Sequence, residues 1–363
     1  MLGATPRKST DQAGRANGFD LVRIGAALAV VLDHSFLLVG SATPVVGVWA
    51  HRQMDLGGLA VITFFAVSGY LVAGSWLGEP RLAAFARKRA LRIWPALCIL
   101  LLLTTFVLGP LVSTLGVGEF LSRGETWAYL QNVTLAPLQL HLPGVFEANP
   151  YPGRVNVALW TLPIEVFCYC VLGIIGFVGL LRRPRILVAT TLGVVGLAEF
   201  VVPAATRDLM LLIACFLAGS CLKVTRAPLT PRLALCAALT AVACLGTPLA
   251  TVSMFGWIYL VIFTGTRKFR RLGAVTRRGD PSYGIYIYGV PIQQCLVLAG
   301  IGHPFPMAVA SVVTVSIAGY ASWHLVEYRA LAWGRTKRPT QQPAPSYAAA
   351  ATRPLGVRTK ASR

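Results

Sequence analysis

The chain contains ten apolar runs of about the length that a helix needs to cross a bilayer, roughly 20 residues. Backbone polar groups in lipid must be satisfied within a helix or a closed barrel, so such runs leave few folds open. The sequence therefore predicts an all-α fold, a polytopic integral membrane bundle of about ten transmembrane helices, with nine or eleven also open because the seventh run is short. The runs are 19–40, 57–76, 93–115, 158–181, 186–204, 208–222, 233–246, 249–266, 283–301 and 306–328.

The composition excludes a soluble globule. Hydrophobic residues make up 55% of the 363 positions and charged residues only 13%, against about a quarter in soluble domains. The net charge of +20 is compatible with nucleic-acid binding, but the basic residues occur in short clusters between the apolar runs. We therefore expect membrane lipids as partners and no nucleic acid.

The basic clusters also predict the topology. With the N-terminus inside, all but four of the 33 Lys and Arg residues fall on the cytoplasmic side, the exceptions being Arg52, Arg123, Arg154 and Arg207. Positive charge on alternate loops is the positive-inside rule, so we expect both termini to be cytoplasmic in a multi-pass protein of the cell (inner) membrane.

Three segments follow from this topology. Residues 1–18 form a cytoplasmic N-terminal segment, residues 19–333 the transmembrane domain, and residues 334–363 a disordered basic cytoplasmic tail. The eight Cys residues include no CxxC pair and no His at a spacing that suits zinc. We predict no metal site and interpret the cysteines as small buried hydrophobes.

The first run carries two polar side chains on one face. Arg23 and His34 are eleven positions apart, about 20° from three full turns and roughly 16 Å along the axis of a helix. His34 has the natural pKa range of a general base, whereas the adjacent Asp33 projects about 100° away. Two simpler interpretations stay open: Arg23 as a membrane-boundary anchor paired with Asp20, and His34 as a hydrogen-bonded core histidine.

Two further runs contain polar residues that a bilayer disfavours. Glu165 follows Pro163 in LWTLPIEVFCYC, where the proline can loosen the helix at the carboxylate. The alternative for Glu165 is a paired carboxylate at the outer interface. Ser68 lies in GGLAVITFFAVSGYL, whose small residues suit close helix packing or the approach of a ligand.

A basic cluster in FARKRALRIWPAL places Arg89 and Arg92 three positions apart on one helical face. Such a pair of guanidinium groups suits a phosphate or pyrophosphate better than a single Lys does. The alternative is a positive-inside cluster that binds lipid head groups.

The ordered set of motifs resembles the acyltransferase-3 family of membrane O-acyltransferases over about residues 17–333. The motifs are FDLVRIGAALAVVLDH, FFAVSGYL, FARKRALRIWPA, LWTLPIEVFCY, DPSYGIYIYGVP and LVEYRAL. Arg23 with His34, Arg89 with Arg92, and Trp160 with Glu165 match the family's Arg-x10-His, Arg-x-x-Arg and Trp-x4-Glu patterns. Gly289 stands where many relatives have His, and Arg329 where many have Pro, so we assign no catalytic role in the ninth run.

The resemblance implies an O-acetyltransferase that moves an acyl group, commonly acetyl, from cytoplasmic acyl-CoA to a hydroxyl of an extracytoplasmic glycan such as exopolysaccharide or lipopolysaccharide. It implies His34 and Glu165 as catalytic residues and Arg23, Arg89 and Arg92 as donor-binding residues. Asp33, Ser68 and Trp160 would be supporting residues. Acyl-CoA is then a substrate and no cofactor is bound permanently.

The resemblance also implies a glycan or glycolipid as acceptor and polysaccharide-assembly proteins as partners. The rival hypothesis is a proton-coupled transporter or flippase of a glycan or lipid-linked intermediate, in which Asp33, His34 and Glu165 form a proton relay. That hypothesis leaves the Arg-x-x-Arg pair unexplained.

Overall fold

A computed structural model describes residues 18–49, 52–244, 247 and 250–336. Most of the predicted N-terminal segment and all but the first residues of the predicted tail lie outside the described residues.

The described chain contains fifteen α-helices and one hairpin, together with short 3-10 and π-helical turns. The first half contains α1 (Gly18–Leu37), β1 (Val45–Trp49), β2 (Arg52–Asp55), α2 (Leu56–Gly78), α3 (Leu82–Leu103), α4 (Gly109–Val112), α5 (Val117–Ser122), α6 (Gly124–Ala128) and α7 (Thr161–Phe177). The second half contains α8 (Pro184–Phe200), α9 (Ala204–Val224), α10 (Pro231–Ala243), α11 (Ala250–Gly265), α12 (Gly273–Arg277), α13 (Ser282–Leu298), α14 (Pro304–Ser322) and α15 (Tyr328–Thr336).

Helix starts follow from local chemistry. The Asp55 side chain accepts a hydrogen bond of 2.7 Å from the Gly58 amide and so caps α2. Thr230 caps α10 in the same way, and proline occupies the first turn of α8, α10 and α14, where no backbone donor is needed. Two π-helical turns interrupt longer helices, Thr104–Leu108 after α3 and Trp323–Glu327 after α14.

The helical character is confirmed, with one addition. Each of the ten apolar runs coincides with one of the longer helices. The chain also forms a short antiparallel hairpin from β1 and β2, which the sequence did not predict.

Among the described residues, four helical stretches are long and apolar enough to cross a membrane by length and composition. They are Leu56–Gly78, Leu82–Val112, Val157–Phe177 and Pro304–Gly334. Large apolar side chains such as Leu111, Phe200 and Val309 point outward from the bundle, as expected of a surface that faces lipid. The chain is therefore a membrane protein, while the count of ten spans and the orientation of the termini stay predictions.

Helix α2 lies at the centre of the bundle and packs against α1, α9 and α11. Its contact with α9 depends on glycine, because a Cβ at Gly69 would overlap the Phe216 carbonyl and a Cβ at Gly219 would overlap the Ala66 carbonyl. Small residues allow this close approach of two backbones in a membrane. Helix α13 packs between α1 and α14.

The segment between α4 and α7 is irregular, with the short helices α5 and α6. Its polar groups are tied to α13: Asn149 donates to the Gln294 side chain at 2.7 Å, and Asn156 donates to the Ile287 carbonyl at 2.8 Å. Buried amides of this kind fix the segment on the bundle. The segment lies at the end of the bundle that the charge distribution predicts to be external.

Candidate functional site

A cavity of about 1280 Å³ runs through the bundle. On α2 its lining extends from Val61 to Ser75 and on to Glu79, which is 18 positions or about 27 Å at the rise of an α-helix. The cavity includes the ends of α1, α2, α3 and α9 that the sequence places at the cytoplasmic face. It is therefore deep enough to hold an extended ligand.

The charged lining of the cavity is mainly positive. Eight cationic side chains line it against four carboxylates, those of Asp20, Glu79, Glu165 and Asp280. The eight are Arg23, Arg87, Lys88, Arg89, Arg92, Lys223, Arg277 and Arg278. An excess of positive charge in a partly enclosed space attracts anionic ligands.

Two of these arginines converge on one carboxylate. Arg23 Nη1 lies 2.5 Å and Arg92 Nη2 lies 2.9 Å from the same oxygen, Asp280 Oδ2. Arg92 Nη1 also lies 3.2 Å from Glu327 Oε2. We call Arg23, Arg92, Asp280 and Glu327 the arginine–carboxylate network; its two positive and two negative charges balance.

Local structure positions both carboxylates of the network. Asp280 follows Gly279, whose φ of +111° favours glycine, and a Cβ there would overlap the Trp323 ring. Asp280 Oδ1 accepts hydrogen bonds from the Ser282 hydroxyl at 2.5 Å and the Ser282 amide at 3.2 Å. Glu327 ends the π-helical turn after α14 and accepts a hydrogen bond from Ser322 at 3.1 Å.

The electrostatics of Asp280 follow from these contacts. Burial would raise the pKa of Asp280, but the Arg23 and Arg92 guanidinium groups and the Ser282 hydrogen bonds outweigh burial and hold that pKa below its ordinary value. Asp280 is therefore a charged partner for both arginines at neutral pH.

Arg89 is held differently. Its guanidinium lies over the Tyr169 ring at 5.6 Å from the centroid, which is a cation–π distance. Within the described chain no carboxylate pairs with Arg89, and its buried Nε has no hydrogen-bond partner. Arg89 therefore presents an unneutralised charge to the cavity.

A hydrogen-bonded group occupies the middle of the cavity. The Tyr169 hydroxyl donates to Glu165 Oε1, and the Ser68 hydroxyl lies 3.3 Å from the same oxygen and 3.0 Å from the Tyr169 hydroxyl. We call Ser68, Glu165 and Tyr169 the hydroxyl–carboxylate cluster. Because the Tyr169 ring also contacts the Arg89 guanidinium, the cluster links the carboxylate of Glu165 in α7 to Arg89 in α3.

His34 and Asp33 are not among the residues that line the cavity. They lie three turns along α1 from Arg23, near the start of α2. His34 is close enough to Asp55 for their charges to interact. The Asp33 carboxylate faces the backbone amides of Leu56 and Gly57. We call Asp33, His34 and Asp55 the Asp–His cluster.

Two aromatic side chains of the cavity lining pack against each other. The Phe64 and Tyr286 rings pack edge to face at 5.7 Å, and both line the cavity. Phe64 also packs against a small apolar cluster that includes Ala27 and Val31 of α1. Tyr286 is fixed by a hydrogen bond of 2.7 Å with Thr161.

The structure thus brings together five of the eight predicted site residues. Arg23, Ser68, Arg89, Arg92 and Glu165 line one cavity, whereas Asp33 and His34 are not part of its lining. Trp160 lies outside the lining too, 45% exposed at the end of a 3-10 turn before α7.

Sequence reasoning missed Asp280, Glu327 and Tyr169. All three lie within motifs that resemble the family pattern, and the first two are among only 13 acidic residues in the chain. That scarcity was the available signal, since an acidic residue beside a membrane span requires a partner.

Within the described part of the chain, no group of three His, Cys, Asp or Glu side chains could hold a metal ion. All eight cysteines are free. Cys168, Cys215 and Cys221 are buried as expected, whereas Cys170 and Cys236 are exposed on their helices.

Comparisons with known proteins cover most of the chain. The model of a family described as "Acyltransferase domain" matches residues 16–323. An O-acetyl transferase of Shigella phage Sf6 is 29% identical over 339 residues, covering 87% of this chain and 96% of the relative. Nodulation protein 10 of Rhizobium leguminosarum bv. viciae is 27% identical over 361 residues, covering 88% of this chain and 94% of the relative. No solved structure matches the chain significantly.

Proposed function

The chain belongs to the acyltransferase family whose model spans residues 16–323, and from that premise we propose that it carries an acetyl group from cytoplasmic acyl-CoA to a hydroxyl of an extracytoplasmic glycan. Family membership and the relative named O-acetyl transferase support an O-acetyltransferase. The observation that carries the finer proposal is the deep, positively lined cavity, whose basic end is the predicted cytoplasmic end.

The donor assignment rests on charge. Acyl-CoA carries several phosphate charges at one end and an acyl thioester at the other. The cavity offers eight cationic side chains against four carboxylates. Cationic side chains that converge in a partly enclosed space bind phosphate oxygens through charge-assisted hydrogen bonds. We place the donor's phosphates at the basic end and its thioester toward Glu165.

The hydroxyl–carboxylate cluster supports a role for Glu165 near the reacting end of the donor. Both hydroxyls of the cluster converge on Glu165 Oε1. A carboxylate held by two donors is fixed in orientation, which suits a residue that aligns the donor's acyl group or an imidazole. We assign Glu165 this orienting role, with Ser68 and Tyr169 supporting it.

His34 is our candidate for the general base. The imidazole would take the proton from the acceptor hydroxyl as the hydroxyl oxygen attacks the thioester carbonyl. The carbon–sulfur bond then breaks, and the CoA thiolate leaves and takes the proton back from the imidazolium. In a second route the imidazole attacks the thioester and the CoA thiolate leaves, and the acceptor hydroxyl then displaces the imidazole from the acyl-histidine. The nearby carboxylate of Asp55 supports either route, because a negative charge stabilises the imidazolium that forms.

Acyl transfer requires the thioester of the donor in the cavity to reach the imidazole of His34. Phe64 lines the cavity and packs against Ala27 and Val31, in the segment of α1 that precedes His34, and the Tyr286 ring packs against Phe64. We propose that the thioester approaches His34 at this aromatic pair, while the acceptor approaches from the outer face. A surface polysaccharide is the proposed acceptor, and polysaccharide-assembly proteins would supply it at the cell membrane.

The test uses purified protein in nanodiscs with radiolabelled acetyl-CoA and candidate surface glycans. We expect acetylated glycan and an equal amount of free CoA. The His34→Ala variant should produce neither. A transporter or flippase would instead move the glycan across a vesicle membrane with no covalent product, and that result would refute the proposal.

A further inference from the structure

The cations that line the cavity differ in what holds them. Arg23 and Arg92 are neutralised by Asp280 and Glu327 in the arginine–carboxylate network. Arg92 also lies over the Tyr283 and Trp323 rings. Arg89 and Lys223 lie against tyrosine rings without a carboxylate partner among the described residues. A paired guanidinium offers little net charge to a ligand, whereas a cation on an aromatic face keeps its full charge.

Lys223 was not predicted as a site residue. It lies near the end of α9, and its Nζ is 4.9 Å from the centroid of the Tyr70 ring. The side chain passes over Gly74 of α2, where a Cβ would lie 2.9 Å from Lys223 Cε. Glycine at this position therefore lets the lysine reach the cavity, which both Lys223 and Tyr70 line.

No carboxylate pairs with Lys223 among the described residues. Arg89 likewise has none, and its buried Nε lacks any hydrogen-bond partner. A buried donor without a partner is rare in folded proteins and is explained by a water molecule, a bound ion or strain. Arg87, Arg277 and Arg278 also line the cavity without a carboxylate partner among the described residues, but of the unpaired lining cations Arg89 and Lys223 are the ones fixed on aromatic rings. These two fixed cations point to an anion with two charged groups.

The two cations lie at different depths. Arg89 lies over Tyr169, which is hydrogen-bonded to Ser68, whereas Lys223 lies beside Gly74. Six positions of α2 separate Ser68 from Gly74, about 9 Å along the helix. Lys223 is therefore nearer to the cytoplasmic end of the cavity than Arg89 is.

We propose that Lys223 binds the terminal 3′-phosphate of acyl-CoA and that Arg89 binds its pyrophosphate. This inference rests on the proposed function. A donor that enters with its thioester first places the pyrophosphate at the deeper cation and the adenosine 3′-phosphate at the shallower one. Arg23 and Arg92 then shape the wall of the cavity, with their charges already balanced by the protein.

The test compares the affinities of CoA and 3′-dephospho-CoA for the full-length protein in phosphatidylcholine nanodiscs, measured by calorimetry. The variants are Lys223→Gln, Lys223→Arg and the control Lys268→Gln, which makes the same change at an exposed lysine outside the cavity. Melting temperatures of all variants report whether they are folded.

We expect Lys223→Gln to weaken CoA binding about tenfold, the loss of one charge-assisted contact, and to leave the affinity for dephospho-CoA unchanged. Lys223→Arg and Lys268→Gln should bind CoA as the wild type does. An equal loss for both ligands, or no loss for either, would overturn the inference.

Two further outcomes separate the possible sources of the phosphate. If the variant differs from wild type only when phosphatidylglycerol is present, Lys223 binds a lipid head group and the inference is wrong. If the wild-type protein binds no CoA at all, the donor assignment itself fails. If the wild-type protein and the Lys223 variants bind CoA equally well, this inference is wrong but the proposed function is not contradicted.

Discussion

Arg92 Nη2 donates to Asp280 Oδ2 across 2.9 Å, although 188 residues separate the two in the chain. The same carboxylate oxygen accepts from Arg23, so a single aspartate joins α1 and α3 to the loop before α13. The side chains of Arg92 and Asp280 are only 13% and 11% exposed. The contact is therefore shielded enough from water to matter for stability.

Replacing Asp280 should destabilise the protein. The Asp280→Asn variant leaves two guanidinium groups beside a neutral amide, and breaking a buried ion pair on one side costs about 3 kcal/mol. We expect a clear fall in the melting temperature in detergent. The matched control is Glu119→Gln, which removes the carboxylate from an ion pair with Arg123 whose two side chains are half exposed; its melting temperature should not change. An unaltered melting temperature for Asp280→Asn would contradict the structural role.

The pH dependence of stability should report the same carboxylate. The pKa of Asp280 is lower in the folded protein than its ordinary value, so the folded state favours the charged form. The resulting stabilisation is complete above the ordinary aspartate pKa of about 3.9 and is lost as the pH falls below it toward the folded pKa. Melting temperatures measured from pH 6 down to pH 3 should therefore converge between wild type and Asp280→Asn. Curves that stay parallel over this range would argue against a lowered pKa.

His34 should be needed for transfer but not for donor binding, because it does not line the cavity. We expect His34→Ala to lose at least about 100-fold in acetyl transfer, the usual contribution of a general base. Its affinity for CoA should equal that of the wild type. The control is His303→Ala, at an exposed histidine before α14, which should retain full activity. Full transfer by His34→Ala would exclude the proposed role.

Tyr169 should serve two separable purposes. The Tyr169→Phe variant keeps the ring beneath Arg89 but removes the hydroxyl that bonds to Glu165. We expect Tyr169→Phe to retain CoA affinity and to lose turnover. Tyr169→Leu also removes the cation–π contact, worth about 1 kcal/mol, and should weaken CoA binding about fivefold. Equal CoA affinities for the Phe and Leu variants would show that Arg89 does not need the ring.

Much of the fold could be predicted from the sequence. Each apolar run corresponds to a helix, because the hydrophobicity that predicts a helix in lipid is a local property of about 20 residues. The shared face of Arg23 and His34 was also predictable, since both lie within the unbroken helix α1. The hairpin before α2 was not predicted, because its nine residues carry no clear alternation of polar and apolar side chains.

The site was only partly predictable. The sequence identified Arg23 and Arg92 as cations at a membrane boundary, and both do line the cavity. It gave no means of pairing them with Asp280 and Glu327, since those partners lie far along the chain. For the same reason the contact of Lys223 with Tyr70, 153 positions earlier, was not apparent.

The sequence by itself determined that this protein is a helical membrane protein that resembles acyltransferases, with most of its basic residues predicted on one side of the membrane. The length of the apolar runs, the placement of the charges and the order of the motifs are all properties of the linear sequence. Only the tertiary structure decided which cations have carboxylate partners and that His34 is not part of the cavity lining. Both depend on which helix faces meet, and packing between distant segments sets that, which the periodicity of a single helix does not encode.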